Sequence, residues 1–323
     1  MYKFVRKIKM KKIDISVVVP VYNASLNLKI LVDEISEVLK SNFDNYELIL
    51  IDDNSLDNSW HKILELCKSN TWIKGIELRK NVGQHNAILA GLKFAEGNNI
   101  ITMDDDCQNS PKYIVDLSNE VNKGFDVCYA TYLIKKHNIL RILASKINNL
   151  FVTLLFNKPL GLHLTSFRCI SHDIKEEIIK NKSPSVYLDG LILSITQNIS
   201  KISVTHNKRK SGTSNYTFFK LLSLWMQMAT GFSIAPLRLA SILGIVFSIT
   251  GFIMSLWLVF FKSPSTDIPM GWTSLIVVIL FLGGIQLLAL GVIGEYLGRT
   301  YLAANNYPQF SIRKTINTES MNK

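Results

Sequence analysis

Four short β-branched runs, each followed by a polar cluster and then a helical pattern, fill residues 13 to about 135. This alternation constrains the fold more than any other feature of the chain. IDISVVVPVY has the continuous apolar character of a buried parallel strand, ended by Pro20. LNLKILVDEISEVLKS places Leu28, Leu31, Val32, Ile35, Val38 and Leu39 on one helical face. YELILIDD, WIKGIELRK and NNIITMDDD read as further strands, and SWHKILELCKS and NAILAGLKFAEG as the helices between them. Gly97 is the expected C-terminal cap of the last of these helices. FDVCYATYL reads as a later strand. Strand and helix in turn require parallel strands joined by crossover helices, so the expected fold class is α/β with a mostly parallel, Rossmann-like sheet.

The polar clusters all fall at the carboxyl ends of these strands, where open α/β sheets bind ligands. Pro20, Tyr22 and Asn23 follow the first strand. Asp52, Asp53, Asn54, Ser55 and Asp57 follow the second, Arg79 to His85 the third, and Asp104, Asp105 and Asp106 the fourth. Three consecutive carboxylates repel one another, and a hard divalent cation such as Mg²⁺ or Mn²⁺ relieves that repulsion. In extended chain, positions i and i+2 point the same way, so Asp104 and Asp106 can reach one ion while Asp105 points elsewhere. Gln108 can add an amide oxygen. Read alone, the cluster is equally an acidic turn before the helix that starts at SPKYIV. Gly83 is expected where backbone must come close to a ligand, with Arg79, Asn81 and Gln84 on the same loop.

Composition divides the rest of the chain. Of 323 residues 48% are apolar, and the formal net charge is +11. No charge occurs from Leu239 to Phe261 or from Ile268 to Gly294. Each run is long enough to cross a hydrocarbon layer of roughly 30 Å as a helix. The link between them carries one Lys and one Asp, whereas Lys208, Arg209, Lys210, Lys220 and Arg238 precede the first run and Arg299, Arg313 and Lys314 follow the second. That asymmetry places both termini and the α/β domain on the cytoplasmic side of a cytoplasmic (inner) membrane. The basic opening MYKFVRKIKMKK leads into a strand and not into a signal-peptide core. Two spans argue against nucleic acid as the partner of the basic field and for anionic lipid phosphate. Cys67, Cys107, Cys128 and Cys169 are scattered, as in a reduced domain without zinc. The expected division is a basic tail over 1–12, an α/β domain over 13–215, and an interfacial amphipathic helix region over 216–235. Spans over 236–262 and 272–298 flank a short extracytoplasmic loop over 263–271, and a cytoplasmic tail covers 299–323, polar and poorly ordered over 305–323.

VVVPVYN, LIDDNSLDNS, RKNVGQHNAILAGL and MDDDCQNSP, in this order and spacing, resemble family 2 glycosyltransferases of the GT-A fold. LTSFRCI, HNKRKSGTSNYTFFKLL and GEYLGRTY extend the resemblance to the polyprenyl-phosphate glycosyltransferases and to nearly the whole chain. Ala24, Asn109 and Asn215 depart from residues common in that group. The resemblance implies that Asp104, Asp106 and Gln108 hold Mg²⁺ or Mn²⁺ on the diphosphate of a nucleotide sugar. It implies that Asp52 and Asp53 contact base and ribose, with Pro20, Tyr22 and Asn23 as the opposite wall. Arg168 and Arg209 are the candidates for acceptor phosphate or donor diphosphate, with Lys210, Ser214 and Tyr216 close by in sequence. Asp189 is expected to orient acceptor or donor, proton abstraction being secondary. The implied reaction is inverting transfer of a sugar from a UDP- or GDP-sugar to a polyprenyl phosphate, undecaprenyl phosphate in bacteria. A separate flippase and a downstream glycosyltransferase would use the product. Transfer to a lipid hydroxyl, and a non-catalytic membrane-anchored scaffold, remain the alternatives, and a homo-oligomer is left open.

Overall fold

The computed structural model describes residues 13–132, 162–183, 186–205, 235–261 and 271–318. The chain divides into two compact units, one formed by residues 1–215 with 308–323 and the other by 216–307.

In the first unit the described strands form one sheet. They are β1 (Ile15–Val21), β2 (Tyr46–Asp52), β3 (Ile73–Leu78), β4 (Asn99–Thr102), β5 (Val127–Tyr132), β6 (Arg168–Ser171), β7 (Ile199–Val204) and β8 (Ile312–Ile316). Their order is β7-β5-β6-β4-β1-β2-β3-β8. β1 pairs in parallel with β2 and β4, β2 with β3, and β5 with β7, while β6 and β8 run antiparallel to their neighbours. This is the α/β, mostly parallel sheet expected from the alternation. Every residue of β1 is buried, as a strand covered on both faces requires. Pro20 lies within β1, where its sheet partner is Ile51, and does not end the strand.

The crossover helices are α1 (Leu28–Asn42), α2 (Ser59–Ser69), α3 (Gln84–Leu92) and α4 (Ile114–Asn122), followed by α5 (His172–Ile179) and α6 (Leu188–Ile195). The α1 face predicted from spacing is the buried one: Leu28, Leu31, Val32, Ile35 and Leu39 enter the core with Val17, Val19, Leu48 and Ile101. Gly97 corrects the expected cap. α3 ends at Leu92, with Lys93 as its cap residue. Gly97 is required farther on, where its N–H donates to Ser16 Oγ at 2.8 Å and an added Cβ would stand 2.6 Å from the Ser16 backbone nitrogen.

A second correction concerns the C-terminus. Residues 312–316 are not a poorly ordered tail but β8, paired antiparallel with β3 through Gly75↔Ile316, Ile76↔Thr315, Glu77↔Lys314 and Leu78↔Ile312. The β-branched Ile312, Thr315 and Ile316 suit a strand, and β3 would otherwise leave an unpaired edge.

The second unit contains α7 (Ala235–Phe261) and α8 (Trp272–Ala304). Their side chains are described only in part, and among the described residues no helix is long and apolar enough to cross a membrane. The expected interfacial helix and most of the short loop between the spans lie outside the described residues, as does the basic N-terminal tail.

Candidate active site

The loops after β1, β2, β3 and β4 meet at the carboxyl edge of the sheet and are tied together by hydrogen bonds. Asn23 and Asn54 both adopt left-handed backbone, with φ of 53° and 57°, a conformation Asn tolerates better than most residues. In that conformation the Asn23 N–H donates to Ser55 Oγ at 3.1 Å, and the Leu56 N–H donates back to Asn23 Oδ1 at 2.8 Å. Asp57 closes the same turn by accepting the N–H groups of Ser25 and Ser59 at 3.1 and 3.0 Å. These contacts join the first and second loops. Ala24, one of the departures, takes part through its backbone: its N–H donates to Ser59 Oγ, and its carbonyl accepts the N–H groups of Asn27 and Leu28.

Asp52 and Asp53 stand at the end of β2 but are only 2% and 3% exposed. Asp53 accepts the Val82 N–H at 2.8 Å and the Gly83 N–H at 2.9 Å, so its carboxylate holds the third loop in place. Asp52 accepts the Ser55 N–H at 3.2 Å, and its Oδ1 is buried with no hydrogen-bond partner. Burial pushes both carboxyls above their ordinary range, against the pull of the N–H and hydroxyl groups that they accept. Both residues, expected to contact base and ribose, are thus engaged with neighbouring backbone. Asp53 shapes the loop that covers it, because two N–H donors compensate a buried carboxylate where water cannot.

Gly83 has a conformational requirement of its own. An added Cβ would meet nothing within 4 Å, but φ is +83° and ψ 159°, backbone essentially reserved for glycine. The next residue, Gln84, opens α3 and donates its side-chain amide to Asp104 Oδ1. Arg79 and Asn81 lie on the same exposed loop.

In the fourth loop the three carboxylates have different hydrogen-bond partners. Asp105 accepts the Tyr22 N–H at 3.0 Å, which ties the first loop to the fourth. Its carboxyl is pushed up to about 7, first by burial; the Tyr22 N–H opposes this, and the neighbouring Asp104 and Asp106 charges add to it. Asp104 accepts from Gln84 and from the Ser166 hydroxyl, and Asp106 Oδ1 accepts the Gln108 N–H at 3.0 Å. Cys107, between Asp106 and Gln108, has φ of 56° and turns the chain sharply at this point. Asn109 is buried and accepts the Tyr132 hydroxyl. Among the described residues no group of three or more His, Cys, Asp or Glu side chains is arranged to hold a metal alone.

Arg168 and Asp189 are brought together and buried. Arg168 is 1% exposed and forms an ion pair with Asp189, which is 6% exposed. The Arg168 Nε–H donates to Thr102 Oγ1 at 3.2 Å, and the Tyr129 hydroxyl donates to Asp189 Oδ1 at 3.0 Å. Thr102 in turn donates to the Ser166 carbonyl at 2.6 Å. Arg168, expected to meet a phosphate, has Asp189 as its ion-pair partner in this structure. Asp189, expected to orient acceptor or donor, is held by Arg168 and by the Tyr129 hydroxyl. His85 packs its ring edge-on to Tyr187 at 5.2 Å beside this pair, and burial pushes its imidazole pKa down. Sequence reasoning missed Ser166, Thr102 and Tyr129. Ser166 stood inside the LTSFRCI stretch beside Arg168, whereas Thr102 and Tyr129 carry no local signal because sheet order alone brings them together. Arg209, Lys210, Ser214 and Tyr216 lie outside the described residues.

Residues 16–174 match the model of glycosyl transferase family 2. An undecaprenyl-phosphate 4-deoxy-4-formamido-L-arabinose transferase of Photorhabdus laumondii is 31% identical over 95% of this chain and 96% of its own length. An uncharacterized glycosyltransferase of Bacillus subtilis is 31% identical over 96% of each chain. The crystal structure of Mycobacterium tuberculosis glucosyl-3-phosphoglycerate synthase is similar with a TM-score of 0.49 at 18% identity, covering 67% of this chain and 78% of that one. The chain belongs to glycosyl transferase family 2.

Proposed function

We propose that this protein transfers a sugar from a nucleoside diphosphate sugar to the phosphate of undecaprenyl phosphate, giving a lipid-phosphate sugar. The observation that carries the proposal is the convergence of four loops at one sheet edge, with Asp104 and Asp106 two residues apart in the last of them. The name of the Photorhabdus relative, whose likeness continues far beyond residue 174, supports the choice of acceptor.

The donor set suits Mg²⁺ or Mn²⁺, because carboxylate and amide oxygens are hard ligands. Such ions are commonly held by one or two carboxylates together with substrate phosphates. Asp104, Asp106 and Gln108 would hold the ion. When bound, it supplies charge neutralisation on the departing nucleoside diphosphate. Gln84 and Ser166 fix the Asp104 carboxylate, and Asp53 fixes the loop over the nucleotide side. The acceptor phosphate is already anionic near neutral pH, its second pKa lying near about 6 by analogy with phosphorylated side chains. It can therefore attack without a strong general base, consistent with Asp189 being committed to Arg168. Arg209 and Lys210 are the proposed phosphate ligands, with Ser214 and Tyr216 close by in sequence.

The uncharged runs from Leu239 to Phe261 and from Ile268 to Gly294 are proposed to span the cytoplasmic membrane, with the α/β unit and both termini inside. A partner flippase and a downstream glycosyltransferase would then use the product across the membrane.

Acceptor choice is tested by presenting undecaprenyl phosphate and undecaprenol side by side. Product from the phosphate alone is expected. Comparable transfer to the alcohol would overturn the phosphate-acceptor reading and favour a lipid hydroxyl.

A further inference from the structure

We propose that the C-terminal strand β8 positions the donor-binding loop, and that Arg313 is the residue through which it does so. The inference rests on the reading of the sheet edge as a nucleotide-sugar site.

The β3–β8 ladder is interrupted between Glu77 and Leu78, and the register passes from Lys314 to Ile312, leaving Arg313 without a ladder partner. Such an interruption re-aims a side chain. Arg313 Nη1–H donates to Glu77 Oε1 at 2.9 Å, and Nη2–H donates to the Arg79 carbonyl at 3.3 Å. From the other side, the Arg79 N–H donates to the Ser311 carbonyl at 2.8 Å. The backbone of Arg79 is thus held through both its N–H and its C=O by the C-terminal segment. Three residues further on, Val82 and Gly83 are held by Asp53. The loop that carries Arg79, Asn81 and Gly83 is pinned at both ends, one of them by a segment more than two hundred residues away in sequence.

The same arginine sets charge in the site. Glu77 is 7% exposed and lies opposite Asp52 in the β2–β3 register. Its negative charge contributes to raising the Asp52 carboxyl. Arg313 is an ion-pair partner of Glu77 and offsets that charge at the end of the nucleotide wall. The segment is anchored on either side of Arg313. Gln309 Nε2–H donates to the carbonyls of Asn181 and Ser183 at 2.8 Å, Phe310 lies 4.6 Å beneath Lys93 Nζ, and Asn317 Nδ2–H donates to the carbonyls of Cys67 and Ile73 at 2.8 Å. So extensive an anchorage fits a strand with a fixed place in the site and not a tether alone.

The test uses the full-length protein in membranes or detergent, with UDP and GDP as probes of nucleotide binding and steady-state transfer as the second readout. Arg313→Ala is expected to weaken nucleotide binding and raise donor KM roughly fivefold, the loss of one charge-assisted hydrogen-bonded contact, with kcat within about twofold of wild type. Arg313→Lys is expected to recover part of the affinity by restoring the charge beside Glu77. Lys314→Ala, on the exposed neighbour, is expected to leave binding unchanged, and the melting temperature of each variant checks the fold. Asp53→Asn separates the two readings. If Asp53→Asn weakens binding while Arg313→Ala does not, or if Lys314→Ala matches Arg313→Ala, the role of β8 is overturned. If neither Asp53→Asn nor Arg313→Ala affects nucleotide binding, the donor-site reading itself fails.

Discussion

Arg168 and Asp189 are paired in the interior, 1% and 6% exposed, on β6 and at the start of α6. Removing one partner of such a pair strands the other charge in a poorly solvated place. Arg168→Ala is predicted to destabilise the α/β unit by about 3–5 kcal/mol, and replacing both residues by apolar ones of similar volume to recover most of that. Thermal unfolding of the two variants checks this. A wild-type melting temperature for Arg168→Ala would show that the pair does not form.

Gly83 has open space where a Cβ would go, but a backbone of φ +83° that side chains rarely adopt. Gly83→Ala is predicted to cost about 1–3 kcal/mol of local strain, relieved by releasing the loop from Asp53. The expected signature is weaker nucleotide binding with little change in melting temperature. Unchanged binding would mean that the loop tolerates the strain in place.

Gly97 presents the opposite case, ordinary φ and no space. A methyl group there meets Ser16 Oγ and the Ser16 backbone nitrogen at 2.6 Å. Gly97→Ala is predicted to lower stability by about 1–3 kcal/mol through overpacking. Nucleotide affinity at a temperature where the protein stays folded is expected to be unchanged, because Gly97 lies at the amino end of β4, away from the ligand edge.

These two glycines show what was legible in the sequence. Their importance could be read from their neighbours, but the positive φ of Gly83 and the crowding of Gly97 by Ser16, where a helix cap was expected, could not, because φ and interatomic space depend on the assembled fold. The order of strand and helix, and the gathering of Asp53, Gln84 and Asp104 at one edge, follow from hydrophobic period and strand ends, which are local properties. The burial of Arg168 against Asp189 depends on β6 being inserted antiparallel between β4 and β5, which no local pattern encodes. β8 was hidden for a related reason. Five residues of mixed polarity carry little strand signal until the edge of β3 is there to receive them.

None of the four cysteines is in a disulfide and all are buried, and burial pushes the thiols of Cys67 and Cys128 up to about 12. At pH 8 their thiolate fraction is on the order of one in ten thousand, so alkylation of these two in the native protein is predicted to be very slow. In denaturant all four should react quickly. The unfolded chain releases these protons more easily, near pH 9, than the folded one. Stability from this source is therefore complete below about pH 9 and falls as pH rises from there towards 12. Rapid native labelling of Cys67 or Cys128 would contradict their burial.

The central claim is sugar transfer to a lipid phosphate at the Asp104–Asp106 edge. The most direct measurement incubates membranes containing the protein with undecaprenyl phosphate and a panel of radiolabelled UDP- and GDP-sugars, with Mg²⁺ or with EDTA. The account predicts label in a lipid product from one donor, loss of that product in EDTA, and its loss in Asp106→Asn while the variant remains folded. Absence of lipid product from every donor, with wild-type protein folded and binding nucleotide, would contradict it.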